Sequence, residues 1–74
     1  MSNRPAHELR IGAIKATIWG HETANGQRYN VVLGRLYKDA EDAWQTSDNL
    51  GRDDLLVAAK LLDQAHTWIL EHGE

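Results

Sequence analysis

Two periods of apolar residues divide the chain. From Leu9 to Trp19, and again from Arg28 to Tyr37, apolar and polar positions alternate in steps of two and are rich in Ile, Val, Tyr and Trp. That pattern predicts β-strands, whose successive side chains point to opposite faces. Between them lies HETANGQ, in which Asn25-Gly26 suits the positive backbone angles of a tight hairpin turn. The loop KDAEDA then returns the chain to a short strand around Trp44 to Ser47. The expectation is a three-stranded antiparallel meander with strands near 9–20, 27–38 and 43–47.

The period changes after Ser47. TSDNLGRDDLLVAAKLLDQAHTWILEHGE reads as one long C-terminal helix, near 52–72. Asp53 and Asp54 supply negative charge where the first amides are exposed, and Gly73 is a plausible stop. At about 100° per residue, Lys60, Asp63, Gln64, Thr67 and Glu71 share a polar arc. Leu55, Ala58, Ala59, Leu62, Ala65, His66 and Ile69 form an apolar stripe, flanked by Val57, Leu61 and Trp68. A surface helix needs an apolar stripe of only about 100°, so this one has apolar surface for two neighbours. The first is its own sheet. The flank of Val57, Leu61 and Trp68 is then expected to meet the matching helix of a second copy, giving a helix-mediated homodimer.

Strand register follows from the same pattern. In the first strand Ile14, Ala16 and Ile18 share a side, and a bulge near Gly12 would bring Leu9 and Ile11 into phase with them. The opposite side then displays Arg10, Lys15, Thr17 and Trp19. In the second strand Tyr29, Val31 and Leu33 are expected inside, with a slip at Gly34 restoring Leu36 to the core. Arg28, Asn30, Val32, Arg35 and Tyr37 then point outward; without the slip the faces invert, although Arg35 and Tyr37 still share one side.

At 74 residues the chain fits one α+β domain, 9–74, behind a flexible N-terminus, 1–8, that contains Pro5. A domain of this size hides only about 60% of its unfolded surface, and without cysteine it has no disulfide or thiolate-metal staple. Oligomerisation is a natural source of further stability. No apolar run resembles a signal peptide or a membrane span, so a cytoplasmic protein with no membrane partner is expected.

The net charge of −3 conceals a segregation. Residues 1–38 carry six basic groups against Glu8 and Glu22, whereas 39–74 carry Arg52 and Lys60 against nine acids. The basic half is also the strand half, which holds Trp19 and Tyr37. Cations that follow phosphates, together with rings that stack on bases, are the means by which unpaired nucleic acid is held without sequence readout. Arg10, Lys15, Arg28, Arg35 and Lys38 are the candidate phosphate contacts. Trp19 and Tyr37 are the candidate stacking platforms, with Trp44 a third. The partner expected is single-stranded DNA or RNA.

Catalysis finds little support. His7, His21, His66 and His72 lack metal-ligand spacing, GxxxxGK[ST] is absent, and neither Ser2 nor Ser47 has a convincing base. The expectation is a protein that is not an enzyme and needs neither cofactor nor metal. The rival reading is a protein-interaction or inhibitor module in which Asp39, Glu41, Asp42, Asp48, Asp53 and Asp54 mimic phosphate spacing and occupy a partner protein's nucleic-acid site.

The order of three strands and a long helix, with a basic aromatic sheet, resembles the dimeric single-strand-binding transcriptional coactivators of the positive-cofactor-four type over residues 9–70. The likeness is architectural and rests on no shared motif. It implies DNA gripped by strands of both subunits. In wording, RIGAIKATIW, RYNVVLGRLYKD and GRDDLLVAAKLLDQAHTWI are similar to segments of a group of short uncharacterised bacterial proteins, a likeness that implies no activity.

Overall fold

The computed structural model describes residues 4–72. The chain is an α+β domain: β1 (His7–Ile11), β2 (Ile14–Thr23), β3 (Gly26–Lys38) and β4 (Trp44–Ser47) form a sheet in sequential order. Every neighbouring pair is antiparallel. A 3-10 turn, Arg52–Asp54, leads into α1 (Leu55–Glu71), which covers one face of the sheet. Gly73, the expected stop of the helix, lies outside the described residues.

The sheet has four strands because the first predicted strand is two. Gly12 and Ala13 link Ile11 to its partner Ile14, and Gly12 takes φ 59°. Positive φ at the first linker residue alone is the pattern of a two-residue type II′ hairpin, where glycine escapes the steric penalty of that angle. Leu9 and Ile11 come into phase with Ile14, Ala16 and Ile18 by chain reversal, without a bulge. β1 begins at His7, and the Ala6 amide donates to the Ile18 carbonyl at 2.7 Å. Residues 6–8 therefore belong to the sheet, not to a loose terminus.

The next hairpin turns one residue earlier than Asn25-Gly26 suggests. Thr23 pairs with Gly26, and Ala24-Asn25 occupy the centre with Gly26 at φ 113°. The Thr23 hydroxyl accepts from the Asn25 amide at 3.2 Å and donates to the Gly26 carbonyl at 2.9 Å, closing the turn with a side chain.

β3 runs without the slip expected at Gly34. The pairs Ile14 with Arg35 and Ala16 with Leu33 lie in one unbroken ladder. Gly34 serves a close approach instead: a Cβ there would sit 2.6 Å from the Thr46 methyl carbon on β4. The absence of a bulge turns Leu36 away from the helix and Arg35 and Tyr37 toward the helix side. α1 packs chiefly on β2 and β1 and less on β3, so the helix offers Leu36 little to bury against.

The core is small and dense. Ile14, Ala16 and Ile18 of β2 and Ala58, Leu61 and Ala65 of α1 are buried, with Leu9, Val31, Leu33, Leu50 and Val57 packed around them. Alanines on both layers let the helix approach the sheet closely, and Leu61 fills the space between them. The helix is therefore rotated from its expected setting. Val57, Leu61 and Trp68, assigned above to a second copy, face this chain's own sheet. Leu61 is fully buried, and Trp68 stacks between His7 at 5.3 Å and His72 at 4.0 Å, with Tyr29 edge-on at 5.4 Å. Four of the seven residues of the stripe expected to meet the sheet are exposed: Leu55, Ala59, Leu62 and His66.

A cavity replaces contacts when a buried leucine is shortened, so Leu61→Ala should lower unfolding free energy by about 2–5 kcal/mol. Leu62→Ala, one residue along the helix, should cost well under half of that in the single chain. Urea denaturation of the two variants at micromolar concentration checks which side of α1 is the core; equal losses would contradict the rotation described here.

Candidate nucleic-acid interface

Directly paired residues of an antiparallel sheet share a face, so the register sorts every strand residue into helix side or open side. On the open side lie Arg10 with Lys15, Glu8 with Thr17, Trp19 with Asn30, His21 with Arg28, and Lys38 with Trp44. The Cα atoms of the molecule span 44 × 30 × 15 Å, the thickness of one sheet and one helix layer, so no second layer covers this face. It carries four of the predicted phosphate contacts, Arg10, Lys15, Arg28 and Lys38, against the single strand carboxylate of Glu8. Thr17, 8% exposed, forms its floor between Glu8 and Val32.

Each cation is held differently. The Arg10 guanidinium donates to the Gly12 carbonyl at 2.8 Å, using one of its five N–H donors and fixing the group beside the β1–β2 turn. Lys15, half-buried, stands opposite Gly34, which adds no bulk beside it. The Lys38 ammonium sits 5.3 Å from the centre of the Trp44 ring and 3.4 Å from Asp42.

Two indoles flank this charge. Trp19 is 36% exposed and Trp44 62% exposed. They align with Asn30 and Lys38 of β3, eight residues apart, and so stand roughly 26 Å from each other along the strand. Trp44 carries more of the open face than the sequence suggested. Its signal was the alternation itself, which places it opposite Lys38 once β4 is paired.

Arg35 and Tyr37 do not join this face. Arg35 donates from Nε to the Asn49 carbonyl at 3.1 Å and lies 3.8 Å from an Asp54 oxygen, tying β3 to the segment that opens the helix. Its guanidinium carbon is 5.7 Å from the Tyr37 ring. Removing them from the predicted set is a correction with a plain cause: without a slip at Gly34, odd-numbered residues of β3 from Tyr29 to Tyr37 all face the helix side.

Three members of the predicted acidic surface are committed to local structure. Asp39 accepts from the Glu41 and Ala43 amides at 2.9 and 3.0 Å and from the Gln45 side chain at 3.0 Å, which builds the β3–β4 turn. Asp42, at φ 65° in that turn, pairs with Lys38. Asp54 accepts from the Gly51 amide at 2.9 Å and neighbours Arg35. Glu41, Asp48 and Asp53 remain exposed, with Asp53 lying 3.9 Å from Arg52. The six do not form one continuous charged plane.

Among the described residues no group of three metal-ligating side chains occurs, and they form no pocket. No helix among them is long and apolar enough to cross a membrane. What the molecule offers is an open, basic, ring-bearing sheet. Compared with protein-family models, curated proteins and solved structures, the chain matches none.

The Asp39 carboxyl is held below its ordinary value of 3.8, first by the Ala43 amide and then by the Gln45 side chain and the Glu41 amide. A carboxyl lowered by folding stabilises the fold above its unfolded value and ceases to do so as pH falls through the folded one. Asp39→Ala should therefore melt at a lower temperature than the wild type at pH 6. The gap should narrow only as pH drops below 3.8. Melting curves across pH 2.5–7 check this; a gap independent of pH would remove the carboxylate from the turn's stability.

Proposed function

We propose that this protein binds single-stranded nucleic acid, without catalysis, through the open face of its sheet. The observation that supports the reading is the company on that face: Arg10, Lys15, Arg28 and Lys38 share it with Trp19 and Trp44, and Glu8 is the single strand carboxylate among them. Phosphates that meet these cations release condensed counterions, which supplies affinity independent of sequence. Bases stack on the two indoles, each worth about 1–3 kcal/mol. The separation of the rings suits a strand several nucleotides long laid across β2 to β4.

The face is flat and open, which favours a polymer over a small molecule. It also suits an unpaired strand better than a duplex, since rings that stack need bases turned away from partners. Acidic groups around the start of α1 lie off this surface, and those of the β3–β4 turn border it, where Asp42 pairs with Lys38. They repel a strand from those edges and so orient it on the sheet. We read the protein, with such a partner, as cytoplasmic.

Titration of a labelled oligo-dT strand, repeated at several salt concentrations, tests the proposal. Affinity should fall as salt rises, with a log-log slope of about −0.7 for each phosphate contacted. Lys15→Glu should weaken binding and flatten the slope. Trp19→Ala should weaken it by about 1–3 kcal/mol with the slope unchanged. Arg35→Gln, on the other side of the sheet, should lower the melting temperature yet leave the affinity of the folded protein as it was. Binding that ignores Lys15→Glu, or no binding at low salt to either oligo-dT or oligo-rU, would reject the reading.

A further inference from the structure

β1 ends the sheet, and among the described residues no strand pairs with its outer side. Its backbone groups divide by alternation. Ile11 and Ile14 close a two-residue hairpin as a hydrogen-bonded pair, so Ile11, Leu9 and His7 turn their amides and carbonyls toward β2. Glu8 and Arg10 turn theirs outward, a donor and an acceptor each along an open edge. Both ends of that edge are held in place, by the stack of His7 on Trp68 and by the Gly12-Ala13 turn. An open edge is a template for another strand, and its side chains decide which strand fits.

We propose that β1 pairs antiparallel with β1 of a second copy of this chain, about a twofold axis through Leu9, joining the two sheets into one. In that register Glu8 of each copy lies directly opposite Arg10 of the other, twice by symmetry. Both residues are exposed, and both stand on the open side of the sheet. They are also the residues whose backbone groups point outward, so each opposed pair exchanges both of its hydrogen bonds. On the helix side Leu9 meets Leu9 of the second copy, and Ile11, 37% exposed, meets its His7.

Charge selects this register over its neighbours. A slip of two residues one way sets Glu8 against Glu8, and the other way Arg10 against Arg10; in-register parallel pairing does both. Like charges directly opposite are destabilising, whereas opposite charges there are favourable. A slip of one residue would put each residue opposite one from the other face. The far edge of the sheet has no such fit: Asp42 and Asp48, both exposed, border β4, and a matching pair centred on Gln45 would set them against each other.

The helices leave room for the joint. A twofold axis perpendicular to the sheet keeps both on one side of it, and α1 packs chiefly on β2 and β1. The two helix axes then lie two to three strand spacings apart, on the order of 10–14 Å, which is no closer than packed helices at about 8–10 Å.

Sedimentation equilibrium at tens of micromolar should give the mass of two chains for the wild type. Glu8→Arg and Arg10→Glu each set like charges opposite, which should weaken association by about tenfold or more and give the mass of one chain. Mixed in equal amounts, the two variants restore opposite charge at both pairs and should return to the mass of two. Far-ultraviolet circular dichroism like that of the wild type shows that each variant is folded. A one-chain mass for the wild type or for the mixture overturns the proposal, as does a two-chain mass for either folded variant alone. Amide hydrogen exchange reads the same joint without a substitution: the Glu8 and Arg10 amides should be protected at high protein concentration and lose protection on dilution, while Leu9 stays protected throughout. Rapid exchange at Glu8 and Arg10 at both concentrations overturns the pairing. None of these readings involves nucleic acid, so they stand or fall apart from the oligonucleotide titration.

Discussion

The seat of α1 on β1 and β2 governs everything else in this molecule. Ile14, Ala16 and Ile18 offer a shallow apolar strip, and Ala58, Leu61 and Ala65 settle into it. With one helix available, one face of a four-stranded sheet is covered and the other faces solvent. The sidedness of every strand residue follows. So does the sidedness of the helix, because a helix that buries one row must expose the rest. Shape, charge display and the apolar row on the back all descend from that single contact.

Charge is organised around the same seat. Cations on the covered side are drawn into structure: Arg35 reaches Asp54 and the Asn49 carbonyl, and thereby closes the gap where the chain leaves the sheet for the helix. Cations on the open side have no such layer to join, and they remain at the surface beside Trp19 and Trp44. Carboxylates follow a comparable division. Asp39 and Asp54 are spent on turns and on the helix start, through hydrogen bonds with amides that would otherwise go without partners. A protein with net negative charge can thus carry a basic face, since most of its acids lie on other edges.

The far end of the helix shows a second use of rings. Trp68 lies between His7 and His72, with the Tyr29 ring edge-on to it and the Tyr29 hydroxyl donating to the His72 carbonyl at 3.3 Å. The same Tyr29 ring covers Gly20, where a Cβ would lie 3.1 Å from its edge. Aromatic groups close the open end of a core that is too small to close itself. The tryptophans therefore serve different ends, and position relative to the helix decides which is which: Trp68 plugs the interior, while Trp19 and Trp44 stand on the free face.

Local chemistry determined much of this protein by itself. Alternation in steps of two placed β3 and β4 to within a residue but ran β1 and β2 together, and the change of period after Ser47 announced the helix. The face shared by Lys15, Thr17 and Trp19 was legible because no irregularity interrupts β2, whereas Arg10 reaches it through a chain reversal at Gly12 in place of the expected bulge. What tertiary structure decided were questions of phase. Gly12 can make a bulge or a turn, and Gly34 a slip or a close approach; each option is locally acceptable, and only the partner strand and the reach of the helix select between them. That selection moved Arg35 and Tyr37 across the sheet. The rotation of α1 was undetermined for the same reason: its apolar arc exceeds what one sheet can bury, and the arc alone does not say which part will be covered. Close packing of alanines against Ile14 and Ile18 chose the row of Leu61, which left the row of Leu62 outside.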